Sequence, residues 1–285
     1  MKPINKILFF IAVSLSFCLW SLQAGPLSAQ ESGSSPSVRS DKESRLNRPS
    51  TLIGYGLVNN WLRIDPNALG ELLSRNGLTL TGIEYVPWFD EEGRKGLSRR
   101  TDLEAAKRFV KAMRTYHITT LISVVNWNSE GSRKASTEWF LDRVREIRDQ
   151  IGTNQILLLP VSEPDGSSKS REWQELALKE WPGKKVLNGP GGRGRPMISG
   201  KVDYLDWHWC TDFDPSTVKT TEAGLEVINN TDCTPVINPG PIRAGQMTRA
   251  ALDKKAHFLV YDFDGMKIDE QVIEAMGAAI KQTFP

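Results

Sequence analysis

Glu163 stands in the run "ILLLPVSEPDG", Ile156 to Gly166, wedged between Ser162 and Pro164 at the end of a string of largely apolar residues. A carboxyl at the end of a buried strand is partly removed from water, which raises its pKa and suits it to hand over a proton. Asp206 and His208 in "VDYLDWHWC" are two residues apart and so share one face of a strand. A face packed under helices should be apolar, so both are expected to point into the open space at the strand's end. Glu84 in "LTGIEYVPWF" and Asp262 in "HFLVYDF" are acids in the same kind of place, whereas Asp212, Asp214 and Asp264 read as loop residues. Asn126 and Asn128 flank Trp127 in "ITTLISVVNWN", and Asn238 ends "TPVIN".

Indoles accompany these groups at Trp61, Trp88, Trp127, Trp207 and Trp209. Flat rings beside Asn and His can stack on sugar rings while their neighbours bond the hydroxyls, so a carbohydrate is the partner this set fits. Cleavage of a glycosidic bond uses two carboxyl groups, about 5 Å apart for retention or roughly 6.5 to 9.5 Å apart when a water must fit between them. Glu163 is read as the proton donor and Asp206 as its partner, with Glu84 and Asp262 next in line. Glu84, Trp88, Asn126, Trp127, Asn128, His208, Trp209, Asn238 and Asp262 are expected to line the substrate. A metal site is not supported, because His117, His208 and His257 are not spaced as a ligand pair. A serine nucleophile lacks its Gly-x-Ser-x-Gly elbow. No metal or cofactor is expected.

Repeating strand and helix segments must hold these groups. "TLIGYGLVNNW" reads as a strand, followed by the Asp65-Pro66 helix start and a stop at Asn76-Gly77. After "LTGIEYVPWF", Thr101 and Glu104 form a capping box for a second helix. "ITTLISVVNWN" is the third strand, and Phe140, Val144, Ile147 and Ile151 mark one face of the next helix, capped by Ser136 or Thr137. The Glu163 run is the fourth strand, and its helix carries Trp173, Leu176 and Ala177. "KKVLNG", "VDYLDWHWC", "TPVIN" and "HFLVYDF" complete eight strands. Helices are expected within Ser216 to Asn229, around Met247 to Ala256, and from Asp269 to Lys281.

Apolar strands joined by helical crossovers imply a parallel sheet covered by helices. Eight such units argue for a closed (β/α)₈ TIM barrel in the α/β class, spanning residues 50–285 as one domain. An open doubly wound sheet is the competitor, but its nucleotide-binding form wants a glycine fingerprint after the first strand, and "GYGLVNNW" has none. The glycine-rich "GPGGRGRP" follows the fifth strand instead, where Arg193 and Arg195 could meet an anion or belong to a plain rim loop.

The beginning of the chain is of another kind. Lys2 and Lys6 precede the apolar run Ile7 to Leu22, with small residues at Ala24 and Ala29, so residues 1–29 read as a secretory signal peptide. Phe17 disfavours a lipid anchor on Cys18. Residues 30–49 are too polar to bury a core and read as a flexible leader. A secreted or periplasmic protein is expected, without a membrane segment once mature. With 36 basic and 34 acidic residues, nothing asks for a nucleic acid. Cys210 and Cys233 would remain after export and are read as a disulfide, with two free thiols as the alternative.

The pattern resembles the (β/α)₈ glycoside hydrolases of the clan that includes cellulases and β-mannanases, where the fourth strand ends in Asn-Glu-Pro and its Glu is the general acid/base. Here Ser162-Glu163-Pro164 stands at that place. In that clan the sixth strand often ends in His followed two residues later by an aromatic; His208 matches, and Cys210 takes the aromatic's place. Ser162 replaces the Asn that contacts the sugar, a loss Asn126 or Asn128 could offset. The clan's nucleophilic Glu on the seventh strand is matched by Asn238, which cannot attack. The resemblance therefore implies a glycoside hydrolase, with a carbohydrate-binding barrel that does not cut its ligand as the alternative.

Overall fold

The computed structural model describes residues 51–58, 60–87, 102–192, 201–209, 214–231, 239–262 and 267–284. The chain divides into units of Met1–Leu46 and Asn47–Pro285, and every described residue lies in the second. Eight parallel strands close on themselves: β1 (Ile53–Leu57), β2 (Leu80–Glu84), β3 (Thr119–Asn126), β4 (Ile156–Ser162), β5 (Lys184–Asn188), β6 (Tyr204–His208), β8 (Leu225–Asn230) and β9 (His257–Asp262). Each pairs with the next, and β9 returns to β1 with Ile53 opposite Phe258 and Leu57 opposite Asp262. The fold is the expected (β/α)₈ barrel rather than an open sheet. The short "KKVLNG" run is a full barrel strand.

The helices are α1 (Pro66–Arg75), α2 (Leu103–Thr115), α3 (Glu130–Lys134), α4 (Thr137–Glu146), α5 (Ser168–Glu180), α6 (Pro241–Asp253) and α7 (Glu270–Thr283). Side chains cap the first turn of every helix but α6, which starts at Gly240-Pro241, each cap worth about 1 kcal/mol. Asp65 accepts from Asn67 N–H with Pro66 behind it, and Ser136 accepts from Trp139 N–H. At α2 the cap is Asp102, accepting from Ala105 N–H, and not the expected Thr101 box. Phe140, Val144, Ile147 and Ile151 are all buried, the last two on a π-type turn that continues α4.

One strand is displaced from its expected place. Residues 216–229, expected to hold a helix, instead contain a 3₁₀ turn at Pro215–Thr217 and a hairpin in which β7 (Thr221–Glu222) runs antiparallel to β8. The hairpin turns on Ala223 (φ +53°) and Gly224 (φ +81°), both left-handed, as tight two-residue loops require. The seventh stave is thus Leu225–Asn230, and "TPVIN", expected there, lies wholly outside the described residues. Among the described residues, the β5–β6 connection shows only a short 3₁₀ turn, and the β6–β8 connection a 3₁₀ turn and β7.

Inside the barrel the filling changes with height. Leu80, Leu121, Leu157, Leu159, Val186, Ile228 and Leu259 form an apolar cluster in the lower part. Glu84, Asn188, Asp206, His208 and Asn230 stand higher, toward the strands' C-terminal ends, and all are buried. Leu159 lies below Glu163 as expected, but Val161 joins the outer cluster beneath the helices. Gly56 and Gly82 clear space for Tyr261, since a Cβ on either would come within 2.8 Å of that ring or its hydroxyl.

Asp262 is the main departure in side-chain direction. Its neighbour Tyr261 takes the interior, so Asp262 turns outward and accepts a hydrogen bond from Tyr55 Oη. The same hydroxyl accepts from Asp269 N–H, at the cap of α7. Burial first, and then the Asp262 charge, push the Tyr55 phenol far up, so it stays a donor. Tyr55→Phe deprives a buried carboxyl of that donor and should cost about 1–3 kcal/mol, measured as a lowered urea midpoint.

Candidate active site

Glu163 follows β4 with φ at +51°, in the left-handed region that costs a non-glycine residue about 1–3 kcal/mol and clusters at functional sites. Its side chain is 17% exposed, at the barrel mouth. Asn126 and Asn128, both at the end of β3, donate to Oε2 through their Nδ2 groups. The Asn126 amide cannot be reversed, because its Oδ1 accepts from Asn128 N–H at 2.9 Å. His208 Nδ1 lies 3.5 Å from the other oxygen, Oε1.

These neighbours reverse the expected titration. Burial alone pushes the Glu163 carboxyl up, but His208, Asn126 and Asn128 each favour its anion, and the net direction is below the usual carboxylate range. Glu163 is therefore ionised at rest.

Glu84 lies on the other side of the Asn126 amide. Its Oε1 accepts from the same Nδ2 at 3.1 Å, while Glu163 Oε2 lies 3.4 Å from that nitrogen. The two oxygens are no farther apart than those two spans end to end. Glu84's backbone carbonyl is held by Trp61 Nε1 at 2.8 Å.

Asp206 points inward beside His208, as alternation requires, but it is only 1% exposed. Asn188 Nδ2 donates to its Oδ2 at 2.7 Å and Asn230 Nδ2 to its Oδ1. It is linked to Glu163 through the imidazole, whose Nε2 is 3.4 Å from Asp206 Oδ2, and through Asn188, whose Oδ1 accepts from Glu163 N–H at 3.0 Å. Asp206 is thus a buried carboxyl enclosed by Asn188, Asn230 and His208. Gly192 (φ +75°) packs flat on the His208 ring, where a Cβ would fall 2.1 Å from Nδ1. The described part of the glycine-rich loop therefore braces the imidazole; Arg193 and Arg195 lie outside the described residues.

The expected indole platform does not form among the described residues. Trp61 packs edge-on to Phe109, Trp127 edge-on to Trp173, and Trp209 edge-on to Phe258 with its Nε1 donating to Thr217. All three are buried in the outer layer. Trp207, half-buried, lies under the Lys219 ammonium, 3.6 Å from the ring centre. Trp88, Asn238, Cys210 and Cys233 lie outside the described residues. Asn188 and Asn230 were not expected here, although alternation places Asn188 level with Asp206 and Asn230 level with His208 in the ladders. A cavity of about 590 Å³ opens at the opposite end, lined by Gln155, Lys184, Lys185, Asp203 and Tyr204 among others, and contains none of these acids. No group of three metal-binding side chains occurs among the described residues.

A closed parallel barrel whose mouth carries ionisable side chains at strand ends defines the class: a (β/α)₈ barrel with an enzyme-type site. Solved structures similar to it are carbohydrate-related. The Clostridial cellulose synthase subunit Z from Clostridioides difficile matches with a TM-score of 0.54 and 10% identity, over 80% of this chain and 99% of that one. An endo-β-1,4-mannanase from Thermotoga petrophila matches at 0.53 and 12%, over 84% and 78%. A glycoside hydrolase family 5 enzyme from Prevotella bryantii B14 matches at 0.50 and 12%, over 85% and 98%. The chain shares the barrel fold of these structures. No protein-family model matches the sequence, and no match is found among curated proteins.

Proposed function

We propose that this barrel is an exported glycoside hydrolase in which Glu163 is the acid/base and Glu84 the second carboxylate. The observation that carries the reading is the single Asn126 nitrogen shared by both carboxyls. That bridge holds their bonded oxygens at most at the lower edge of the 6.5 to 9.5 Å that an interposed water needs, a limit that accommodates the roughly 5 Å of a retaining pair. The mannanase and family 5 enzyme of like fold supply the substrate class: β-linked polysaccharide. Residues 1–29 would direct export, and residues 50–285 would be the catalytic unit.

The mechanism must load a proton on a resting carboxylate. His208, when protonated, passes the Nδ1 proton to Glu163 Oε1 and keeps Nε2–H facing Asp206. Glu163 then protonates the glycosidic oxygen as its bond to the anomeric carbon breaks, and Glu84 forms a bond to that carbon. A water, deprotonated by Glu163, displaces Glu84 and releases the sugar. Incubation with soluble β-mannan and β-1,4-glucan, followed by proton NMR of the first product, should show the anomer of the substrate; inversion would remove Glu84 as nucleophile.

A second reading, a barrel that binds carbohydrate without cutting it, is favoured by β8, which ends in Asn229 and Asn230 where the clan it resembles carries a nucleophilic acid. Calorimetric binding of mannan or glucan oligosaccharides without any product distinguishes it.

A further inference from the structure

Asn188 closes β5 and is 1% exposed. The orientation of its amide is fixed by partners of one kind each. Oδ1 accepts from the backbone N–H of Glu163 at 3.0 Å, and Nδ2 donates to the Asp206 carboxyl at 2.7 Å. Nδ2 also lies 3.2 Å from His208 Nε2. The Asn188 carbonyl accepts from Gln174 Nε2 of α5 at 3.2 Å, which ties the end of β5 to a helix. One side chain therefore touches the main chain of the candidate acid, the carboxylate behind its imidazole, and the imidazole's far nitrogen.

Glu163 needs such a hold. Its left-handed backbone has no glycine to relax it, and Pro164 follows, so an unrestrained Glu163 would fall back to an extended conformation and carry its carboxyl away from Asn126, Asn128 and His208. The loop after β5 adds a second tie, from Gly191 N–H to the Pro164 carbonyl at 2.9 Å.

We propose that Asn188 is the positioning residue of this site: it pins Glu163 in its left-handed conformation and, through Asp206, holds His208 against the same carboxyl. The inference rests on the reading of Glu163 as acid/base, but its physical content can be measured without substrate. The charged and titratable groups around Glu163 are His208 in contact, Asp206 behind it and Glu84 across Asn126.

The test compares the full-length natural protein with Asn188→Ala by NMR, following exchange of the Glu163 amide proton and the pH titration of its side-chain carboxyl. Loss of the acceptor should speed amide exchange at Glu163. Loosening of His208 should let burial prevail and move the carboxyl midpoint upward. On soluble β-mannan, kcat should fall about hundredfold with KM little changed, as for a misplaced catalytic group. Tyr55→Phe, destabilising but remote, should leave kcat as it is. If Asn188→Ala does not fold, Asn188→Asp replaces it, keeping the acceptor while setting a carboxylate against Asp206. Glu163 exchange should then stay slow while the pH profile of kcat moves. A folded Asn188→Ala with natural exchange, midpoint and kcat overturns the inference, as does an unchanged pH profile in Asn188→Asp. Full turnover in Glu163→Gln would instead overturn the acid/base reading and leave the amide-exchange result standing.

Discussion

Glu163→Gln should lower turnover of β-mannan or β-glucan by about 10²- to 10⁴-fold while leaving the barrel folded. Glutamine keeps the volume and one acceptor oxygen for Asn126 and Asn128, so the loss falls on proton transfer. A second consequence follows from the direction of the Glu163 shift. Burial raises its pKa, but His208 and the two amides lower it further than burial raises it. A carboxyl depressed in the folded state contributes stability that is present above its unfolded value of about 4.3 and disappears as pH falls through the folded value. Urea unfolding should accordingly show the natural protein gaining stability over Glu163→Gln as pH rises from 3 to 7. A gap of constant size across that window would contradict the anion-stabilising arrangement at the mouth.

Glu84→Gln is expected to be at least as severe, on the order of 10³-fold or more in kcat, if its carboxylate forms the bond to the anomeric carbon. Asp206→Asn provides the contrast. Asp206 is sealed between Asn188 and Asn230 and reaches Glu163 through His208 and Asn188. Its loss should shift the pH profile and lower the unfolding midpoint but leave measurable cleavage. Comparable residual activity in Glu84→Gln and none in Asp206→Asn would restore Asp206 as the partner carboxylate.

Much of this barrel is legible from periodicity. Six consecutive strands, the last strand and the starts of α1, α4 and α7 follow from apolar runs and capping residues, because burial and orphan N–H groups leave few other solutions. The seventh stave was misplaced for a local reason. Its hairpin turns on Ala223 and Gly224, and an alanine with positive φ carries no visible turn signal, so the strand behind it was hidden. Expecting the strand at "TPVIN" then made Asn238 stand for the missing nucleophile, a position β8 does not occupy.

The tryptophans teach a different lesson. Alternation already turned Asp206 and His208 inward, and the same rule sends Trp207 and Trp209 out; Trp127 follows the inward Asn126 in the same way. Counting them as a rim ignored the phase of their own strands. The buried network is legible only in part, because Asn188 and Asn230 become meaningful once the ladder sets them level with Asp206 and His208. No run of sequence brings Glu84 and Glu163 to one amide; strand pairing across β2, β3 and β4 does that.

Release of reducing ends from soluble β-mannan and β-1,4-glucan, followed over time with the natural protein and Glu163→Gln side by side, bears most directly on the acid role of this residue. A steady rise with the natural protein on one of the two and a flat trace with Glu163→Gln is the expected result. Equal slopes from both proteins, or flat traces from both, would contradict it.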